Sequence, residues 1–261
     1  MNRLLNTYPD TFTSVQLHSS GSGNFAWFST RWSYYFQSGD GYPLTWFDGT
    51  AKCLGAYTND TQMYDWYNTT YTYRKAVATD VSIALTGDEV GTNMYKINVK
   101  LTMDANGTAK DMIVHVLQML DYYPASTDYR YRNCGRQHYE QTINLTPGAS
   151  QTVTTTFTLA ATDVAAIDDV KILAFAQATG TPPPKQVYNT AVMSYPFTPS
   201  VVAGDVDLDG DVDISDLAAL LSTYNLCVGD PGYNAAADFV ADGCITVADL
   251  AALLGNYGYP G

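Results

Sequence analysis

Residues 205–216 read Asp-Val-Asp-Leu-Asp-Gly-Asp-Val-Asp-Ile-Ser-Asp, and the chemistry lies in how the acids are spaced. Carboxylates stand at positions 1, 3, 5, 9 and 12 of a twelve-residue loop, as Asp205, Asp207, Asp209, Asp213 and Asp216. Alternate side chains of a tight loop point inward. These five can therefore wrap one hard cation, and calcium takes oxygen donors of this kind in this order. Gly210 holds position 6, where such a loop turns sharply, and Asp211 at position 7 offers its main-chain carbonyl. Without a counter-ion the carboxylates repel one another. A merely solvated acidic turn needs neither the glycine nor the helix-forming run that follows.

The helix that must position this loop recurs. Asp216-Leu-Ala-Ala-Leu-Leu221 returns 33 residues later as Asp249-Leu-Ala-Ala-Leu-Leu254. Leu217, Leu220, Leu221 and Tyr224 fall at i, i+3, i+4 and i+7, as do Leu250, Leu253, Leu254 and Tyr257. Each set is one apolar helix face, so the pattern predicts two loop–helix units packed through those faces. Over residues 201–260 the sequence resembles dockerin modules, the paired calcium-loop domains of secreted bacterial proteins. Aspartate ends the first loop, as in dockerins. The second loop departs: Asp238, Asp242, Gly243 and Asp249 fit positions 1, 5, 6 and 12, with Cys244 at position 7, but Val240 and Thr246 stand at positions 3 and 9. Two missing carboxylates predict a weak or empty second site, since affinity follows ligand charge. The resemblance implies calcium as cofactor and a protein partner, either a cohesin-like receptor or further copies of this chain.

Charge is distributed accordingly. The 261 residues carry a formal net charge of −13, and residues 201–261 hold ten Asp with no Lys or Arg. The acidity belongs to the calcium-loop segment, and no basic stripe points to nucleic acid or an anionic membrane. The 21 Tyr and the Thr- and Val-rich stretches favour β structure. No apolar run is long enough to span a membrane, and no signal peptide opens the chain. Loops of this type require the calcium levels found outside cells, so the expected location is extracellular or cell-surface, with Met1 a mature end or the start of a truncated frame. Four cysteines allow three pairings. Cys227 and Cys244 both lie in the calcium-loop segment and can staple its halves, which leaves Cys53 and Cys134 to tie the upstream regions; four buried thiols are the alternative.

Upstream, residues 1–6 read as a helix end, Thr11–His18 as a strand and Asn24–Gln37 as an aromatic helix. Gly41-Tyr-Pro-Leu-Thr45 follows, before a strand and a turn. This order resembles the later half of a thioredoxin fold and implies a cis Tyr42–Pro43 bond. The redox Cys-x-x-Cys of that family is absent from the chain, and Cys53 stands alone after the proline loop. A helix is expected over Met63–Lys75. Strands are expected near 79–86, 93–103, 111–121, 137–145, 151–159, 170–178 and 185–195, with turns at Gly87-Asp88, Asn106-Gly107 and Pro147-Gly148. Seven short strands at this spacing suggest an immunoglobulin-like sandwich. Thioredoxin-like region followed by sandwich resembles a family of bacterial surface lipoproteins. The expected architecture is multidomain and mostly β: a partial thioredoxin-like α/β region over 1–76, an Ig-like β-sandwich over 77–198, and a small α calcium-binding module over 199–261, joined by the Pro-containing linker 196–204.

Other chemistry is thin. His18, His115 and His138 are far apart in sequence with no metal-ligand spacing, so each reads as a strand residue. No nucleophile motif is present. Adjacent Asp168 and Asp169 point to opposite faces of a strand and cannot flank one glycosidic bond. The chain is accordingly expected not to be an enzyme. Sequons at Asn59, Asn68, Asn106 and Asn144 make Asn59 and Asn68 candidate glycosylation sites. Aromatic runs around Trp32 and Trp66 read as core packing or as an exposed surface for sugar or protein. The expected function is a secreted, non-catalytic surface or matrix protein that attaches or self-assembles. The alternatives are an oxidoreductase whose redox motif lies outside this frame and a carbohydrate-binding protein.

Overall fold

The computed structural model describes residues 1–18, 25–123, 131–180, 186–198, 203–207 and 211–258. The chain is mostly β, in antiparallel sheets, and divides into two compact units: residues 1–85 with 98–196, and residues 86–97 with 197–261.

The first unit begins with α1 (Asn2–Thr7) and α2 (Trp27–Tyr35), then a hairpin of β1 (Leu44–Phe47) and β2 (Ala51–Leu54), then α3 (Asp60–Lys75). The Tyr42–Pro43 bond ahead of β1 is cis. Helix α3 starts three residues earlier than its apolar pattern predicts because Asn59 caps it, accepting from the amides of Thr61 and Gln62 at 2.8 and 3.2 Å. Asp60 in its first turn and Arg74 and Lys75 in its last suit the helix dipole. Its buried Tyr67 and Tyr71 pack with Leu4, Phe47 and Cys53. Thr11–His18 does not form the expected strand. Gln16 makes one bridge to Cys134, with the Gln16 amide donating to Asn133 and the Gly135 amide donating to Gln16, and the left-handed Asn133 bounds the pairing.

Seven strands follow, all close to the expected ranges: β3 (Val81–Gly91), β4 (Met94–Met103), β5 (Lys110–Leu120), β6 (Cys134–Leu145), β7 (Ser150–Thr158), β8 (Val170–Ala178) and β9 (Val187–Ser194), with a short α4 (Ala161–Val164) between β7 and β8. One sheet has the order β3-β4-β7 and the other β6-β5-β8-β9. The expected Gly87-Asp88 turn is wrong. Both residues lie inside β3, where the Gly87 amide donates to Thr198, and the chain reverses between β3 and β4 at Thr92-Asn93, with Asn93 left-handed at φ 57°. Strand β5 is paired on both sides and buried on both faces, with Met112, Val114 and Val116 on one and Leu117 and Met119 on the other. Phe25 and Trp27 pack against Leu117, Met119, Leu173 and Phe175. Gly135 lets Phe25 approach, since a Cβ there would lie 2.7 Å from its ring.

The second unit contains α5 (Ile214–Ser222) and α6 (Val247–Asn256). Its core is Val206, Val212, Leu220, Ala237, Ile245 and Leu253, with Leu217 and Leu250 packed against it. Gly204, at φ +115°, passes so close to Leu253 that a Cβ would sit 3.0 Å from its Cα. A disulfide joins Cys227 to Cys244 across 17 residues. The expected second bridge does not form: Cys53 and Cys134 are both buried and neither is disulfide-bonded. Cys53 is held among Leu4, Phe47, Tyr67 and Tyr71, while Cys134 opens β6 beside Gln16, so each sulfur is enclosed by its own surroundings.

Candidate metal centre

Local sequence dictates the geometry of the first loop. Asp213 is the N-cap of α5, accepting from the Ser215 amide at 2.7 Å, and Asp216 three residues on reaches back to the Asp213 amide at 2.8 Å. The pair is a reciprocal capping box. The other Asp216 oxygen accepts from the amides of Val206 at 2.6 Å and Asp207 at 3.2 Å. One fully buried carboxylate thus pulls the start of the loop onto the helix that ends it.

This folding gathers the acids. Carboxylate oxygens of Asp205, Asp207 and Asp216 lie within 4.8 Å of one another, and so do those of Asp211, Asp213 and Asp216. Asp205 and Asp216 are 1% and 0% exposed. The side chain of Asp211 joins the cluster, whereas the sequence pointed only to its main-chain carbonyl. Asp209 and Gly210 lie outside the described residues. Residues 197–261 contain no Lys, Arg or His. Carboxylates gathered this closely repel one another, and a cation among them relieves that. The donor set is all hard oxygen, which fits calcium rather than a thiolate- or imidazole-seeking metal.

The second loop is satisfied differently. Thr246 caps α6 and Asp249 repeats the part of Asp216, accepting from the amides of Val240 at 2.9 Å and Thr246 at 2.8 Å. Burial pushes the Asp249 carboxyl up, but those amides and the Thr246 hydroxyl outweigh it, and the group titrates below the usual carboxylate range. Asp238 accepts from the Asp242 and Gly243 amides and, at 2.7 Å, from the Tyr233 hydroxyl, whose own pKa this hydrogen bond pushes up to about 12. Asp242 accepts from the Cys244 amide. Protein N–H and O–H groups therefore occupy the carboxylates that would face an ion. No metal-like acidic cluster forms here among the described residues.

The matching helix faces divide between core and surface. Leu220 and Leu253 are fully buried, but Leu221 and Leu254 are 52% and 54% exposed. Ile214 and Val247, one residue after each cap and likewise 33 apart, are also exposed. The unit thus presents two equivalent apolar pairs, Ile214 with Leu221 and Val247 with Leu254.

Sequence reasoning missed one group. His115 and His138 are not isolated strand residues: pairing of β5 with β6 sets His115 opposite Glu140 and His138 one diagonal away on the same face. Burial foremost, then the nearby Arg31 guanidinium, drives both imidazoles down, His115 to about 2 and His138 to about 4. Both rings are neutral at physiological pH. The only sequence signal was that each histidine interrupts an apolar or alternating strand. His18 stands apart, its ring against Tyr131. Asn59 is exposed, whereas Asn68 is part-buried within α3.

No protein-family model matches the chain, and no curated protein does. Among solved structures, HBP35 of Porphyromonas gingivalis aligns at 14% identity and a TM-score of 0.42, over 50% of this chain and 46% of that one. The chain thus spans about half the length of HBP35. A domain of the outer membrane lipoprotein Omp28 from the same organism aligns at 14% identity and a TM-score of 0.34, over 48% of this chain and 93% of that one. A β-glucosidase from Kluyveromyces marxianus aligns at 12% identity and 0.27, over 44% of this chain and 14% of that one. At these scores the likenesses carry no argument about activity.

Proposed function

We propose that this chain is a secreted, non-catalytic surface or matrix protein that attaches to a protein partner through its C-terminal segment, 199–261, with calcium held in the first loop. The observation that carries the proposal is the convergence of Asp205, Asp207, Asp211, Asp213 and Asp216 around one buried carboxylate. Calcium would neutralise that cluster and fix the start of α5 to the loop. The second loop, already satisfied by Tyr233 and its own amides, folds without an ion. The exposed Ile214, Leu221, Val247 and Leu254 are the contact face, because apolar side chains grouped on a small acidic unit gain most from a partner.

Upstream, the cis Tyr42–Pro43 bond, the β1–β2 hairpin and α3 support a thioredoxin-like remnant over 1–76. Strand orders β3-β4-β7 and β6-β5-β8-β9 support an immunoglobulin-like sandwich over 77–198. Redox catalysis is disfavoured. Burial raises the Cys53 thiol, and burial raises Cys134 to about 11, so neither offers the thiolate that exchange requires. No helix among the described residues is long and apolar enough to cross a membrane.

Attachment is tested by electron microscopy and pull-down of the full chain against a chain truncated after residue 200, each with calcium and with chelator. Assembly or binding only by the full chain in calcium is expected. Unchanged assembly or binding by the truncated chain would remove the docking role.

A second reading, glycan binding, has its own observation. Phe28, Trp32, Phe36 and Tyr42 form an aromatic tier, with Trp32 stacked on Tyr42 at 4.6 Å and Phe36 and Tyr42 exposed. Sugar rings stack on such surfaces. Retention on polysaccharide that falls about tenfold, or ~1.4 kcal/mol, in Trp32→Ala is expected on this reading, and equal retention of both proteins contradicts it.

A further inference from the structure

His115, His138 and Glu140, a cluster of nitrogen and oxygen ligands in the first unit, have no part in attachment, and their geometry is specific. The Nδ1 of His115 lies 3.1 Å from the Nε2 of His138 and 3.2 Å from a Glu140 carboxylate oxygen, which is 3.6 Å from His138 Nε2. The same three atoms approach one another pairwise. A neutral imidazole nitrogen carries at most one hydrogen, so hydrogen bonding alone serves such a triangle poorly. A metal ion serves it well. With Zn–N and Zn–O bonds of about 2.0–2.1 Å, the edges of a coordination tetrahedron are about 3.3–3.4 Å, and a point about 2 Å from all three atoms lies just off their plane.

We propose that His115, His138 and Glu140 form a zinc-binding site with three protein ligands and a fourth position open to water or an exchangeable ligand. The backbone sets the ligands before any ion arrives. Antiparallel register places Glu140 directly across from His115 and puts His138 diagonally across, on the same face. Packing sets the rings. Trp27 of α2 stacks on His138 at 3.8 Å and 17°, and His115 lies between Trp27 at 5.3 Å and Phe175 at 4.7 Å. Side-chain exposures of 3% for His115, 12% for His138 and 53% for Glu140 grade the site from buried floor to solvent, which gives an ion its way in.

Charge determines the third ligand. Arg31 of α2 is buried nearby, but its guanidinium is engaged by Gln177 and by Tyr35, each at 3.0 Å. Its positive charge opposes a dication held by imidazoles alone. The Glu140 carboxylate offsets that charge and makes the set a two-histidine, one-carboxylate site of the kind zinc occupies. The acidic loops of the other unit offer oxygen only, so the two centres take different metals.

The test is zinc titration of the full chain by calorimetry in millimolar calcium, so that the acidic loop is filled, with Co2+ as a second probe for its four-coordinate visible bands. Wild type is expected to bind one Zn2+ per chain. Glu140→Gln, a change at the half-exposed ligand that leaves the strand core intact, is expected to weaken binding on the order of a hundredfold, and His138→Ala to abolish it. If His138→Ala does not fold, Glu140→Gln decides alone. Absence of zinc binding by wild type, or binding by Glu140→Gln equal to wild type, overturns the site.

Discussion

Replacing Asp216 with alanine is expected to abolish calcium binding and to unfold the C-terminal unit. Asp216 is fully buried and accepts from three main-chain amides, those of Val206, Asp207 and Asp213. Truncation leaves those donors without their acceptor and removes half of the capping box on α5. Loss of a cap costs about 1 kcal/mol, and each buried donor left unpaired costs about 1–3 kcal/mol more. A loss on the order of 3 kcal/mol or more is large for a unit whose buried apolar core is six residues. The proposed ion also loses the carboxylate common to both groups of ligands. Asp249→Ala is the informative partner: Asp249 accepts from two main-chain amides rather than three, so its loss should destabilise α6 by less and, in saturating calcium, leave calcium stoichiometry unchanged, because the second loop is satisfied without an ion. Calorimetric calcium titration and thermal melts of both variants check this. Equal loss of calcium in the two would mean that both loops are filled.

Asp121→Ala should be the most damaging change in the first unit. The Asp121 side chain, 3% exposed at the end of β5, accepts from Arg132 Nε at 2.6 Å and Nη2 at 3.1 Å, from Lys171 Nζ at 2.7 Å, and from the amides of Tyr122 and Asn133 at 3.0 and 3.1 Å. Removing one member of such a buried group costs about 3–5 kcal/mol, because Arg132 and Lys171 lose the buried carboxylate they share. The same group predicts acid sensitivity. Burial pushes the Asp121 carboxyl up, but hydrogen bonds from Arg132 and Lys171 outweigh it and hold the group below its usual 3.8. A depressed folded-state pKa contributes stability above the unfolded value, and that contribution is lost as pH falls through the folded one. Wild type should therefore lose stability below about pH 4, where the variant changes less. Denaturant midpoints across that range measure it. A variant that melts with wild type at neutral pH contradicts this account of Asp121.

Much of this was legible in the sequence because it is local. Alternation located half-buried strands such as β4, and short apolar runs located β5 and β8, which are buried on both faces. The acidic spacing located the first loop, and the 33-residue repeat located both helices. What escaped depended on tertiary partners. His115 and His138 meet only through the β5–β6 register, which no spacing along the chain encodes. Gly87-Asp88 has the composition of a turn, but the Gly87 amide finds Thr198 and the strand runs on to Thr92-Asn93. Cys53 and Cys134 were paired by elimination, whereas each thiol packs where its own strand places it. Thr11–His18 alternates like a strand, yet it pairs only through isolated bridges, such as Gln16 with Cys134, and not along a ladder.

The most direct test of the central claim is hydrogen exchange of the full chain, with calcium and with chelator. The account predicts that calcium slows exchange across 203–222, most strongly at Val206, Asp207 and Asp213, whose amides donate to Asp216, while amides of β5 and β8 are unaffected. Identical exchange in the two conditions throughout 203–258 would contradict it and leave the carboxylate cluster with no ion to hold.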